Sequence, residues 1–408
     1  MSTATASEEK KTGTGFDLDA SARRVCGTYR RGNVDRVPMI SPINWSAAGD
    51  IDSKEFGDWR DEERFRRIAR LVQRHCDVWP VHGPVGYPRV FEPISYQRFI
   101  EAPSEYVETL PPERLSDIRT RYTTILHTPK GDLRYIYDRD DGVFTNWDAH
   151  RPIQCPEDVD RMLSVPYEFT PPDPTRYEAF RRNRAEKGAN ALGGSGVNCM
   201  VAMLCGVMSY QQLLEWIITE PQLLTRLADA WLERVREKVE WLLSQGVGPF
   251  WHFNGIERAC PPMMGPAQWD EFIRPYDGEI MRIIKAADPD ARIHVHCHGN
   301  AGSFLDMFVE LGVDSTDPVE PGPQGNIDMA RAKRDYDGRM VFYGNIEFLD
   351  METRTPDEVE ELVRRAVLDG GTKNVVLCPS SGPHERPTDK FLANAERYIE
   401  AGLEYGKR

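Results

Sequence analysis

Three histidines spaced two apart, His294, His296 and His298, occupy the run Arg292-Ile-His-Val-His-Cys-His-Gly-Asn300. In an extended strand residues two apart project to one face, so the three imidazoles form one row. Imidazole is the commonest metal ligand and the side chain best suited to proton transfer near neutral pH, and three on one face point to that chemistry. The Gly-Asn pair that follows places the row at the C-terminal end of a strand, where α/β proteins put their reactive groups.

Four other polar groups stand where predicted strands end. In His252-Phe-Asn254-Gly-Ile-Glu257, Glu257 is a candidate metal ligand or general base, with His252 and Asn254 as substrate contacts. In Asp317-Pro-Val-Glu320, the prolines and glycines that follow fix a loop carrying a substrate contact, Asp317, and a catalytic carboxylate, Glu320. In Tyr343-Gly344-Asn345, glycine lets the backbone approach closely while Asn345 can donate or accept and Tyr343 can pack on substrate. The stretch Cys378-Pro-Ser-Ser381 offers a thiolate or a hydroxyl. Each group also has a plain structural reading: a solvated glutamate, an ordinary turn, a buried inert cysteine. Together, His296 and His298 with Cys378 or a carboxylate satisfy the zinc preference for N, S and O donors with one position left open. His294 is then a proton shuttle. The helix-borne HExxH motif, the P-loop and the GxGxxG turn are absent, and Gly193-Gly-Ser195-Gly196 lacks the GxSxG frame of a serine hydrolase.

Such loops meet only if the strands share one rim. Short β-branched or aromatic runs alternate with amphipathic helices, the pattern of a parallel sheet built from βα units. Predicted strands cover 37–40, 77–81, 190–194, 249–254, 292–297, 313–317, 340–343 and 374–378. Eight strands imply an α/β fold closed as a (β/α)8 barrel. Helices are predicted over 210–219, 221–245 and 267–287, and another opens with the capping box Thr355-Pro-Asp-Glu358. Residues 84–188 break the rhythm, and alternating runs around Pro129-Lys-Gly-Asp132 predict a hairpin in an insertion covering the barrel mouth. Residues 1–15 read as a disordered tail before a single barrel domain over 16–408.

A formal net charge of −14 without a basic stripe excludes a nucleic-acid surface. No apolar run reaches the roughly 20 residues of a membrane span. Eight scattered cysteines fit reduced thiols and a cytoplasmic protein better than a disulfide framework.

The chain resembles the uroporphyrinogen decarboxylase superfamily, and within it the zinc-dependent methyltransferases that serve corrinoid proteins. The resemblance rests on Arg31-Gly-Asn-Val-Asp-Arg-Val-Pro38, Thr128-Pro-Lys-Gly131, the stretch ending at Glu257 with Pro261-Pro262, His296-Cys-His298-Gly-Asn300, and Gly344-Asn345-Ile-Glu347. It implies a barrel, a homodimer, zinc, and a corrinoid on a partner protein. The chain also departs from the family. Where true decarboxylases carry an arginine-rich loop for the substrate propionates, it has Val37-Pro-Met-Ile-Ser-Pro-Ile-Asn44-Trp45, leaving Trp45 as a substrate contact and porphyrinogen an improbable substrate. His298 stands where the methyltransferases have a cysteine, and their late cysteine falls nearest Ser381, with Cys378 three residues earlier. Zinc can activate a substrate heteroatom for methyl transfer or ionise a water for hydrolysis. The leading expectation is methyl transfer from a small methylated, aromatic compound to a corrinoid. Metal-assisted hydrolysis or decarboxylation of a small ring compound is the alternative, and a non-catalytic binding barrel the third reading.

Overall fold

The computed structural model describes residues 16–83, 88–90, 99, 102–143, 145–371 and 373–407. The disordered tail expected at 1–15 and part of the 84–188 insertion lie outside them. Seven parallel strands form one sheet in the order Arg89–Val90, Gly194–Asn198, Phe250–Asn254, Arg292–His296, Ser315–Asp317, Val341–Ile346 and Val375–Pro379. Two bridged segments join its ends. Ile40 N donates to Leu377 O and Leu377 N to Pro38 O at 2.8 and 2.9 Å, Asp77 N donates to Met39 O, and Gly193 N donates to Pro80 O. With 37–40 inserted, and 77–80 continued by Arg89–Val90, the ring has eight positions: the expected TIM barrel.

Alternation along the strands separates two environments. Trp251, Phe253, Ile293 and Val295 face outward into the apolar layer shared with the surrounding helices. Ile40, Val341, Tyr343, Val376 and Cys378 fill the lumen against Tyr29 and Trp79. The helices start as the sequence dictates. Thr355 and Glu358 form the expected capping box of Pro356–Gly370, and Ser209 caps Tyr210–Thr219, whose bounds match the prediction.

Two elements differ from expectation. The strand predicted at 190–194 lies at Gly194–Asn198, after a 3-10 turn over Gly188–Asn190. Its glycines carry no β-propensity, yet a Cβ on Gly194 would stand 1.5 Å from Phe250 O, so close strand approach selects glycine here. The helix predicted over 267–287 is broken by a π-helical stretch, Trp269–Asp277, containing Pro275, which cannot donate the α-helical hydrogen bond.

The insertion carries the expected hairpin, Arg119–Thr128 against Gly131–Asp140, within a five-stranded antiparallel sheet. Among the described residues of 84–188, only Arg89 lines the cleft at the barrel mouth. No single helix among the described residues is long and apolar enough to cross a membrane.

Candidate active site

At the C-terminal rim opens a cleft of ≈ 680 Å³. Its residues come from successive strand ends: Trp45 after the first barrel position, Trp79 and His82 from the second, His252 and Asn254, then His296 and His298, Asp317, and Cys378 to His384. A second cavity of ≈ 700 Å³ lies elsewhere, against the helix Pro221–Ser244, and holds none of these groups.

Strand register explains which groups meet. His252 lies beside His294, Ser315 beside His294, and Asp317 beside His296. Asp317 therefore sits between two imidazoles: His294 Nε2 donates to Oδ1 at 2.6 Å and His296 Nδ1 to Oδ2 at 2.9 Å. Burial alone would raise the Asp317 pKa, but His296 and His294 outweigh it and hold the carboxyl well below its usual range. The converse holds for His296: burial disfavours its charge, yet Asp317, with Glu257 and Glu320, raises it to about 9.

His252 behaves differently. Burial, reinforced by His294, holds it well below the usual imidazole range, so the ring is neutral with a lone pair to offer. Its Nε2 is sealed from solvent and has no hydrogen-bond partner. One donor atom each from His252, His296 and Asp317 lies within 4.8 Å of the other two. A tetrahedral zinc ion needs donors roughly 3.4 Å apart, so small side-chain movements would close the set around an ion. Two nitrogens and a carboxylate oxygen fit zinc in kind and number, with room for a fourth ligand from the cleft. The orphaned buried Nε2 is the observation that favours this fit, because an unsatisfied buried polar atom is costly unless something occupies its lone pair.

Aromatic rings build the floor. Trp79 stacks on Tyr343 at 5.2 Å and 7° and on His252 at 6.0 Å and 14°. Asp77 also lines the cleft, but its carboxylate is paired with Arg24 and Arg36.

Other predicted residues stand apart from the donor set. Cys378 lines the cleft but is not among the three converging donors: its thiol donates to Pro379 O at 3.2 Å, and burial, then Asp317, push it well above the thiol range. His298 sits at the rim, 40% exposed, with Nδ1 donating to Glu320 Oε1 at 2.8 Å and its ring packed edge-on against His296 at 4.6 Å. Tyr343 is wholly buried beneath Trp79 and is not among the residues that line the cleft. Glu257 takes Arg258 Nη1 at 3.2 Å, and its Oε2 is buried without a partner. Glu320 braces His298 and the Gly299 amide. Asn345 is half-buried, and neither it, Glu257 nor Glu320 lines the cleft. Trp45 and Asn254 line the cleft as expected, and Asn254 Nδ2 donates to His252 O at 3.3 Å. Sequence reasoning placed His252 and Asp317 among substrate contacts and passed over Trp79, although an aromatic at a strand end was the available signal.

These features define a TIM-barrel protein with a histidine-rich, metal-compatible mouth. The family model of uroporphyrinogen decarboxylase (URO-D) matches residues 148–404, and the chain belongs to this family. It is 22% identical over 186 residues to uroporphyrinogen decarboxylase 1, chloroplastic, of Oryza sativa subsp. japonica, covering 46% of this chain and 44% of that relative. It is 24% identical over 255 residues to uroporphyrinogen decarboxylase of Microcystis aeruginosa, covering 60% and 70%. The chain thus spans less than half of the rice relative. Among solved structures it is similar to a methyltransferase from Methanosarcina mazei, with a TM-score of 0.52 and 13% identity over 94% of this chain and 98% of that one, a likeness of fold.

Proposed function

We propose that this protein transfers a methyl group from a small methylated, aromatic compound to a corrinoid carried by a partner protein, with zinc held by His252, His296 and Asp317. The reading is carried by one observation: His252, whose Nε2 is buried without a partner, offers a donor atom within 4.8 Å of donors from His296 and Asp317 beside a cleft large enough for a small ring compound. Bound zinc would supply Lewis acidity toward a substrate heteroatom. The chain's own groups do the rest. Trp79 and Trp45 offer aromatic surface to a planar substrate. Asp317 orients His296, and His298, braced by Glu320, stands at the rim where a proton can be handed to the demethylated heteroatom. The choice of methyl transfer draws on the activity of the similar Methanosarcina mazei protein.

The test is elemental analysis of the purified protein, followed by an assay for methylcobalamin formed from methoxylated aromatic donors with added cob(I)alamin. About one zinc per chain and metal-dependent methylcobalamin formation are expected. Turnover surviving complete metal removal overturns the reading. The match to decarboxylases supports the alternative of decarboxylating a small ring compound, which carbon dioxide release without any methyl acceptor would select. A homodimer is the proposed assembly, and light scattering checks it.

A further inference from the structure

A file of hydrogen bonds leads from the donor set into the barrel lumen. Asp317 Oδ1 accepts from His294 Nε2 at 2.6 Å, His294 Nδ1 lies 2.8 Å from Ser315 Oγ, and Ser315 Oγ lies 2.7 Å from the Tyr29 hydroxyl. The Tyr29 hydroxyl is in turn 3.1 Å from that of Tyr343. Tyr29 ends the helix Leu18–Tyr29 and packs edge-on against Phe250, the first residue of its strand. The file therefore reaches from the C-terminal rim to the opposite end of the barrel.

Its polarity follows from donor and acceptor capacity. Imidazole nitrogens meet both oxygens of the Asp317 carboxylate, which accept, so His294 Nε2 carries a proton. Tyr343 is wholly buried, and among the described residues Tyr29 is its hydrogen-bond partner. A buried hydroxyl proton without an acceptor is costly. If the file ran outward from His294, the Tyr343 proton would be stranded. Run inward, Tyr343 donates to Tyr29, Tyr29 to Ser315, and Ser315 to the bare Nδ1 of His294, so every proton is used.

We infer that Tyr343, Tyr29 and Ser315 are positioning residues, which lock His294 in its Nε2–H tautomer and through it fix the Asp317 carboxylate that orients His296. A ligand's outer hydrogen-bond partners set its orientation and basicity, and their loss typically weakens metal binding by ~10–100-fold. The effect on zinc rests on the metal-dependent reading above, whereas the tautomer does not. Tyr29 lies outside the 148–404 segment matched by the family model, so its helix brings to the site a residue from beyond that segment.

The experiment uses the full-length protein, Ser315→Ala, Ser315→Thr and Tyr29→Phe. Histidine nitrogen resonances are recorded metal-free, with His294 assigned by its loss in His294→Gln, and zinc affinity is measured by competition with a chromophoric chelator. Wild-type His294 should show a protonated Nε2 and an Nδ1 shifted by an accepted hydrogen bond. In Ser315→Ala the Nδ1 resonance should move toward that of a free lone pair and zinc should bind ~10-fold more weakly. Tyr29→Phe should give a smaller change of the same sign, and Ser315→Thr should restore both. Near-ultraviolet circular dichroism confirms folding, and Tyr29→Phe decides the matter if Ser315→Ala does not fold. A proton on Nδ1 in the wild type, an unmoved Nδ1 in folded variants, or a moved Nδ1 with unchanged zinc affinity overturns the inference. A wild type that binds no zinc overturns the metal reading, while the nitrogen shifts still decide the polarity of the file.

Discussion

His127 and His296 are both held by carboxylates, and only one of them stands where chemistry can follow. In the hairpin sheet, His127 spends both ring nitrogens, with Nδ1 donating to Asp132 and Nε2 facing Glu108, each at 2.9 Å. Its side chain is 43% exposed, and those hydrogen bonds raise its proton affinity on a surface where water screens the charge. It is a cross-strand tie, like the Arg119–Asp140 and Arg121–Asp138 pairs of the same hairpin. At the barrel mouth His296 gives Nδ1 to Asp317, so that once its other proton is displaced Nε2 is left for a ligand. A spare nitrogen and a dry carboxylate turn a structural tie into a donor-orienting device.

The comparison breaks first if Asp317 is dispensable. Asp317→Asn removes the charge between two imidazoles, and zinc content and methyl transfer should both fall, turnover by ~100-fold or more. Metal analysis beside the cobalamin assay checks this. His252→Ala removes the orphaned donor and leaves its neighbours paired, so zinc affinity should drop by tens of fold while the far-ultraviolet dichroism stays unchanged. Unaltered affinity would place the ion elsewhere.

Glu347 sharpens the contrast, being a carboxyl that, among the described residues, no imidazole hydrogen-bonds. Burial, then Glu320, pushes it up to about 7, against a slight opposing hydrogen bond from Ser380 at 3.2 Å. The folded protein therefore binds this proton more tightly than the unfolded chain does. Its contribution to stability is full below the ordinary carboxyl range and is lost as the pH climbs through about 7. Glu347→Gln should match the wild type near pH 5 and exceed it near pH 8 by at most about 3 kcal/mol in denaturant titrations. Parallel pH profiles would remove the claim. The smallest effect belongs to the hairpin: His127→Ala should leave zinc content and turnover at wild-type values, and any loss of either would show that the exposed pair reaches the site.

Much of the architecture was legible because it depends on local pattern. The eight barrel positions follow from alternation between apolar runs and amphipathic helices, and the His294-His296-His298 row lies at a strand end as its spacing requires. The glycine-rich strand was misplaced because a contact with Phe250 O, not propensity, selects Gly194. The candidate donor set was only half legible. Which imidazole meets which carboxylate depends on register between strands many residues apart, so His252 and Asp317 looked like substrate contacts. The burial of Cys378 beside Asp317, which pushes its thiol up, is a property of the folded lumen that spacing does not show. Tyr29 carried no local signal: its role arises from packing beneath residues almost three hundred positions away.

The eight staves of this cask are not hooped equally. Five residue pairs align Val341–Ile346 with Val375–Pro379, whereas single bridges join 37–40 to its neighbours on either side. Native-state opening begins where backbone pairing is sparsest. Amide exchange should therefore be fastest along that joint, which parts Trp45 from Trp79 and leaves the strands bearing His252, His296 and Asp317 together.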